Sequence, residues 1–229
     1  MHNIIIKLIS IVPVLIFMFG CASNRVNVKC EEKIYETENE IVSIEIPVIS
    51  GLKNKEFEEE INCGYNDRIN DILNSYLNDS EKTINERNGK SKLEIKQNVS
   101  YNKNGLLSIV GECYKYTDGL NGTSTRIIKN INTQTNSVLL LEDLFSDDEY
   151  VKMLDEKLER QSEDAKYSDL WEIPKISAEQ NEFFYFSDEG LVLFYPPYEL
   201  SYYARGFVEF TIPYSDLYGY LKPEYSFLY

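Results

Sequence analysis

The chain has 229 residues, with 23 Lys and Arg against 38 Asp and Glu and a formal net charge of −15. A surface of that sign repels phosphate backbones and anionic headgroups, which argues against nucleic acid and for either plain solubility or a cationic partner drawn in at long range. The single histidine is His2, so beyond the N-terminus there is no Ser-His or Cys-His nucleophile pair and no His-based acid, base or metal ligand.

The first elements in chain order form an export signal. Met1 to Lys7 carry one Lys, and the 13-residue apolar run "LISIVPVLIFMFG" follows and ends at Gly20, before Cys21. A membrane-crossing helix needs about 20 apolar residues, so the run fits the hydrophobic part of a signal peptide better. Gly20-Cys21 resembles the cleavage site of a bacterial lipoprotein signal, which makes Cys21 the expected lipidated residue and puts the body outside the cell membrane on a lipid anchor. An uncleaved N-terminal anchor and a cleaved, unlipidated secreted chain are the alternatives. Removing residues 1–20 leaves 209, enough for a substantial core without disulfide staples. Of Cys30, Cys63 and Cys113 at most one pair can bond, and burial as small apolar side chains suits Cys63 and Cys113 better than pairing.

After a polar tether, "VNVKCEEKIYETENEIVSIEIPVISG" alternates as two strands, near Val26–Tyr35 and Ile41–Val48, with Gly51 ending the second. A helix follows, because Phe57, Ile61, Tyr65, Ile69, Ile72, Leu73, Tyr76 and Leu77 recur at helical spacing and acids gather near its start. From Lys92 the period returns to two. "KLEIKQNVSY", "LLSIVGECYKY" and "TRIIKNINTQ" are successive antiparallel strands, the first two joined by an Asn104-Gly105 turn. Beyond "VLLLEDLF", Ser146 or Asp147 caps a second helix with Tyr150, Met153, Leu154 and Leu158 on one face. A connector holding Trp171, read as a packing residue, and Pro174 leads to the strands "EFFYF", "LVLFY" and "FVEFTIPY", and "SDLYGYL" closes as a helical turn. The expected fold class is α+β, with antiparallel sheets and one main helix in each of two small packed subdomains.

Three stretches resemble the extracytoplasmic part of the RsiV-type anti-sigma factors, a domain of unknown function (DUF3298) behind a smaller one (DUF4163). They are "IPVISGLKNKEFEEEIN", "NINTQTNSVLLLEDLF" and "FYFSDEGLVLFYPPYELSYYARGFVEFTIPYSDL". Behind the signal peptide over 1–20 and a tether over 21–25, the resemblance implies a DUF4163-like subdomain over 26–118 and a DUF3298 subdomain over 119–229. It also implies a non-enzymatic binding module, since in RsiV-type proteins this region recognises lysozyme. Only about seven residues precede the apolar run, so a sigma-binding segment is not expected. Partners are then a basic, lysozyme-like extracellular protein or wall glycan, with no cofactor and no metal.

Chemistry that needs no histidine reduces to paired carboxylates: Glu142 with Asp143, and Asp147, Asp148 and Glu149. A carboxylate-dependent glycan hydrolase is the enzymatic alternative. In so acidic a chain such pairs arise by chance, and the second run is sufficient as a helix start. The stronger candidate is the stretch "LFYPPYELSYYARG", Leu193 to Gly206. Its first three residues continue a strand, and Pro196 and Pro197 then end ladder pairing. Tyr198, Tyr202, Tyr203 and Arg205 follow on an exposed connection, where rigid aromatic rings give contact area at little entropic cost. Pro196, Pro197, Tyr198, Tyr202, Tyr203 and Arg205 are the candidate partner-binding residues, against the plainer reading that the rings only cover the edge of the core.

Overall fold

The computed structural model describes residues 25–83, 89–177 and 181–229, so the signal and Cys21 lie outside the described residues. The chain is α+β, with a six-stranded sheet and a three-stranded sheet, in each of which neighbouring strands follow one another in chain order. It divides into two compact units. The first holds residues up to Asn98 together with Val110–Ile127, and the second holds Val99–Ile109 and Ile128–Tyr229.

In the first unit, β1 (Asn27–Glu36) and β2 (Glu40–Ser50) form an antiparallel hairpin with an unbroken register. The helix α1 (Lys55–Thr83) follows, started by Asn54, whose Oδ1 accepts the N–H groups of Glu56 and Phe57. Phe57, Ile61, Tyr65, Ile69 and Tyr76 form its buried stripe, and the helix packs on β2. Ile72, Leu73 and Leu77 are only half-buried. The chain then enters β3 (Ser91–Lys103), which pairs with β2 in parallel. This pair departs from the all-antiparallel expectation for a topological reason: the crossover helix carries the chain back to the end of the sheet at which β2 began, so β3 starts beside the start of β2. Ser91 anchors the junction. Its Oγ lies 2.7 Å from the Tyr76 hydroxyl and 2.8 Å from Ser80 Oγ, and its N–H donates to the Asn39 carbonyl, so three buried hydroxyls satisfy one another.

The second unit has a core of its own. The hairpin of β3 and β4 (Leu106–Tyr116) turns at Asn104-Gly105, with φ of 54° and 83°, as two positive-φ residues in a tight hairpin require. After β5 (Thr123–Asn132) and the short β6 (Ser137–Val138), Leu141–Leu144 form a 3-10 turn. Helix α2 (Glu149–Ser162) buries Tyr150, Met153, Leu154 and Leu158, the face the sequence marks. Asp147 accepts the Glu149 N–H, while Ser146 instead donates its hydroxyl to the Leu221 carbonyl. The antiparallel strands β7 (Phe184–Phe186), β8 (Leu191–Tyr195) and β9 (Val208–Ile212) complete the unit. A Cβ at Gly190 would fall 2.3 Å from the Ile212 carbonyl oxygen, so the β7–β8 turn admits no side chain there.

The outer edge of β7 is closed by side chains rather than by a strand. The Ser108 hydroxyl donates to Asn130 Oδ1, Asn130 Nδ2 donates to the Phe184 carbonyl at 2.8 Å, and the Phe186 N–H donates to Ser108 Oγ at 3.1 Å. All three polar groups are buried, where a missing partner costs about 1–3 kcal/mol. Near the C-terminus an isolated bridge joins Phe145 to Leu221, and Tyr225 and Leu228 are buried.

Cys113 is buried, Cys63 is exposed, and both are unpaired, as is the exposed Cys30. Burial of Cys63 is therefore corrected: its position on α1 faces away from the stripe of Phe57, Ile61 and Tyr65.

Candidate functional site

The stretch after β8 is held in place at several points. All five residues of β8 are buried, and the Tyr195 hydroxyl donates to the Lys175 carbonyl at 3.0 Å. Burial pushes that phenol well above its ordinary range, with Glu199 and Asp155 adding to the shift. The chain then makes a turn closed by the Glu199 N–H on the Pro196 carbonyl at 3.2 Å. Pro197 takes the first central position and Tyr198, at φ 72°, the second. This is the geometry of a type II turn, in which the second central residue is ordinarily Gly or Asn. A tyrosine there costs about 1–2 kcal/mol of backbone strain and leaves its ring 62% exposed.

Leu200 and Ser201 are 3% and 2% exposed and pin the middle of the connection. The Leu200 carbonyl accepts the Trp171 N–H at 2.9 Å, and Ser201 Oγ lies 3.1 Å from both the carbonyl and a carboxylate oxygen of Asp169. Arg205 donates from Nη2 to the Lys166 carbonyl at 2.6 Å and approaches Asp169 Oδ2 at 3.8 Å. Gly206, at φ 73°, ends the 3-10 turn Tyr203–Arg205 ahead of β9.

Two segments, 166–171 and 198–205, are thereby bound together and present exposed rings. Tyr202 is 52% exposed and Trp171 61%. Tyr203 is half-buried, with its ring 5.4 Å from that of Tyr198. Pro196 and Pro197 are half-buried, and the exposed Glu172 and Glu199 directly follow Trp171 and Tyr198 in the chain. Of the candidate residues, Tyr198 and Tyr202 are displayed, Tyr203 supports Tyr198, the prolines shape the turn, and Arg205 is engaged with the neighbouring segment. Trp171 departs from the packing role expected of it from the sequence. In the sequence it reads as a packing residue of a connector, but while its backbone is tied to Leu200 its side chain is largely exposed. The signal available was the polar, Pro-bounded connector around it.

The carboxylate pair has a local role. Asp143 Oδ2 accepts the Leu140 N–H at 2.8 Å, while Glu142 is exposed beside Asn181. Among the described residues no cluster of His, Cys, Asp or Glu is arranged to hold a metal ion, and no helix is long and apolar enough to cross a membrane.

Residues 142–215 match the family model described as "Protein of unknown function (DUF3298)", and residues 29–124 match the model described as "Deacetylase PdaC". The chain is 28% identical over 204 residues to the anti-sigma-V factor RsiV of Bacillus subtilis (strain 168), a match covering 78% of this chain and 64% of that protein. It therefore spans less than two thirds of the length of that relative. Two solved structures share the fold. A DUF3298 family member from Bacteroides fragilis NCTC 9343 has a TM-score of 0.64 at 18% identity, covering 89% of this chain and 96% of that one. A DUF3298 family protein from Pseudomonas aeruginosa PAO1 has a TM-score of 0.61 at 16% identity, covering 88% and 97%. The resemblance carried by the three sequence stretches holds as a similarity: the chain is similar to RsiV over most of its length, with residues 142–215 similar to the DUF3298 model behind a region similar to the PdaC model.

Proposed function

We propose that the chain is a non-enzymatic module of the cell envelope, anchored by lipid at Cys21, that captures a basic extracellular protein of the lysozyme kind. The observation that carries the binding surface is the pre-tied pair of segments presenting Trp171, Tyr198 and Tyr202 beside Glu172 and Glu199. Flat aromatic rings next to carboxylates suit Lys and Arg side chains, which gain from both the ring faces and the charge. A type II turn strained by Tyr198 supports the same reading, because strain retained at an exposed ring points to a use other than packing. The net charge of −15 adds long-range attraction, and the similarity to RsiV is consistent with a receptor-like role.

Calorimetry of the full chain in detergent with lysozyme is the direct test. Saturable heat should weaken from low to high salt, and Trp171→Ala or Tyr202→Ala should each weaken binding about tenfold while changing stability by no more than about 0.5 kcal/mol. Absence of heat at micromolar protein overturns the proposal. Depletion by purified peptidoglycan instead would favour the glycan reading, for which the same rings offer stacking faces.

A further inference from the structure

A different chemistry lies on β1 of the first unit. This strand ends the six-stranded sheet, pairs only with β2 among the described residues, and has no buried residue. Its backbone direction follows from four hydrogen bonds. The Ile49 N–H and carbonyl are both taken by the Asn62 side-chain amide, at 2.8 and 2.9 Å, so they point away from β1. The Glu45 carbonyl accepts from the Gln97 side chain, again away from β1. At the hairpin the Thr37 N–H bonds the Glu40 carbonyl, so Thr37 points inward. The register is unbroken, so the main-chain groups of Val28, Cys30, Glu32 and Ile34 all face the outer edge. Pro47, which has no N–H, sits opposite Cys30, where none is required.

We infer that this edge pairs with β1 of a second copy of the chain, antiparallel across a dyad at Cys30. The exposed parity restricts hydrogen-bonded partners to residues of the even set, and the charges then choose among registers. A dyad at Lys29, Glu31, Glu32 or Lys33 sets that residue against its own like charge. A dyad at Cys30 instead faces each Lys29 with the other copy's Glu31, in the non-hydrogen-bonded positions where cross-strand side chains come closest. Val28 and Glu32 become hydrogen-bonded partners, and Asn27 meets Lys33. About six main-chain hydrogen bonds would form. The charges that keep foreign strands off an open edge are self-complementary in the Cys30 register, which also pairs more of the strand than a dyad at Val28 would.

The experiment uses the full-length protein in detergent, treated with a short thiol-to-thiol bismaleimide and mapped by peptide mass spectrometry. The expected product is a dimer joined between two Cys30 residues, with doubled mass in sedimentation equilibrium without the reagent. Lys29→Glu and Glu31→Lys should each weaken association about tenfold or more, and the double exchange should restore it, since it only swaps the two charges. A monomeric mass throughout, a cross-link confined to Cys63, or a Cys30 cross-link indifferent to both reversals overturns the inference.

Discussion

Strands β1 and β8 are opposite answers to the same period-two backbone. Every residue of β8 is buried and none of β1 is. In "LVLFY" both faces are apolar, and each is covered: Leu193 and Tyr195 join the core with α2, while Phe194 packs among Phe183, Tyr185 and Phe207. In "NVKCEEKIYE" both faces carry charge, and α1 covers β2 rather than β1. The difference shows that strand burial depends on what packs against each face, and that a charged strand can still be held by one good neighbour through its backbone.

The contrast breaks most sharply on a single methyl group. Gly190→Ala drives a Cβ into the Ile212 carbonyl, so denaturant unfolding should show a loss of about 3 kcal/mol. Lys33→Ala on β1 should change stability by no more than about 0.5 kcal/mol. Equal effects at the two sites would mean that β1 is covered in solution.

A smaller effect separates packing from display in the loop after β8. Tyr198→Gly relieves the positive φ, and should raise stability by about 1 kcal/mol while weakening partner binding. If stability falls instead, the ring is part of the core edge and the plainer reading stands.

The smallest effect concerns Asp79. Its hydrogen bond from Lys115, with Lys82 nearby, holds its carboxyl below the usual range despite the opposing cost of desolvation. A depressed carboxyl contributes stability above its unfolded value, and the contribution is lost as pH falls through the folded value. The gap in thermal midpoint between the protein and Asp79→Asn should therefore be open at pH 6 and close below about pH 4. A gap unchanged across that window removes the pairing as a source of stability.

Much of this fold was legible because period and burial agreed. The α1 stripe, the α2 face and the Asn104-Gly105 turn came directly from spacing and turn chemistry. The parallel β2–β3 pair did not, because pairing direction depends on where a 29-residue helix returns the chain, and local pattern does not encode that. The Ser108–Asn130 closure was invisible for a related reason: two ordinary polar residues on different strands acquire meaning only when β7 arrives beside them. Within the candidate site, the prolines and tyrosines announced a loop. Its anchoring through Leu200, Ser201 and Asp169, and with it the exposure of Trp171, depends on contacts over about thirty residues of sequence.

The path of the chain between the two units bears on how the protein can be dissected. Residues 99–109 belong to the second unit but precede 110–127 of the first. No single cut separates them. Truncation after residue 118 would strand Ser108 and Tyr101 on the wrong fragment and leave β7 without its lateral closure. Fragments made that way should be sticky and poorly soluble, whereas a circular permutant opened at an exposed surface turn would keep both units whole.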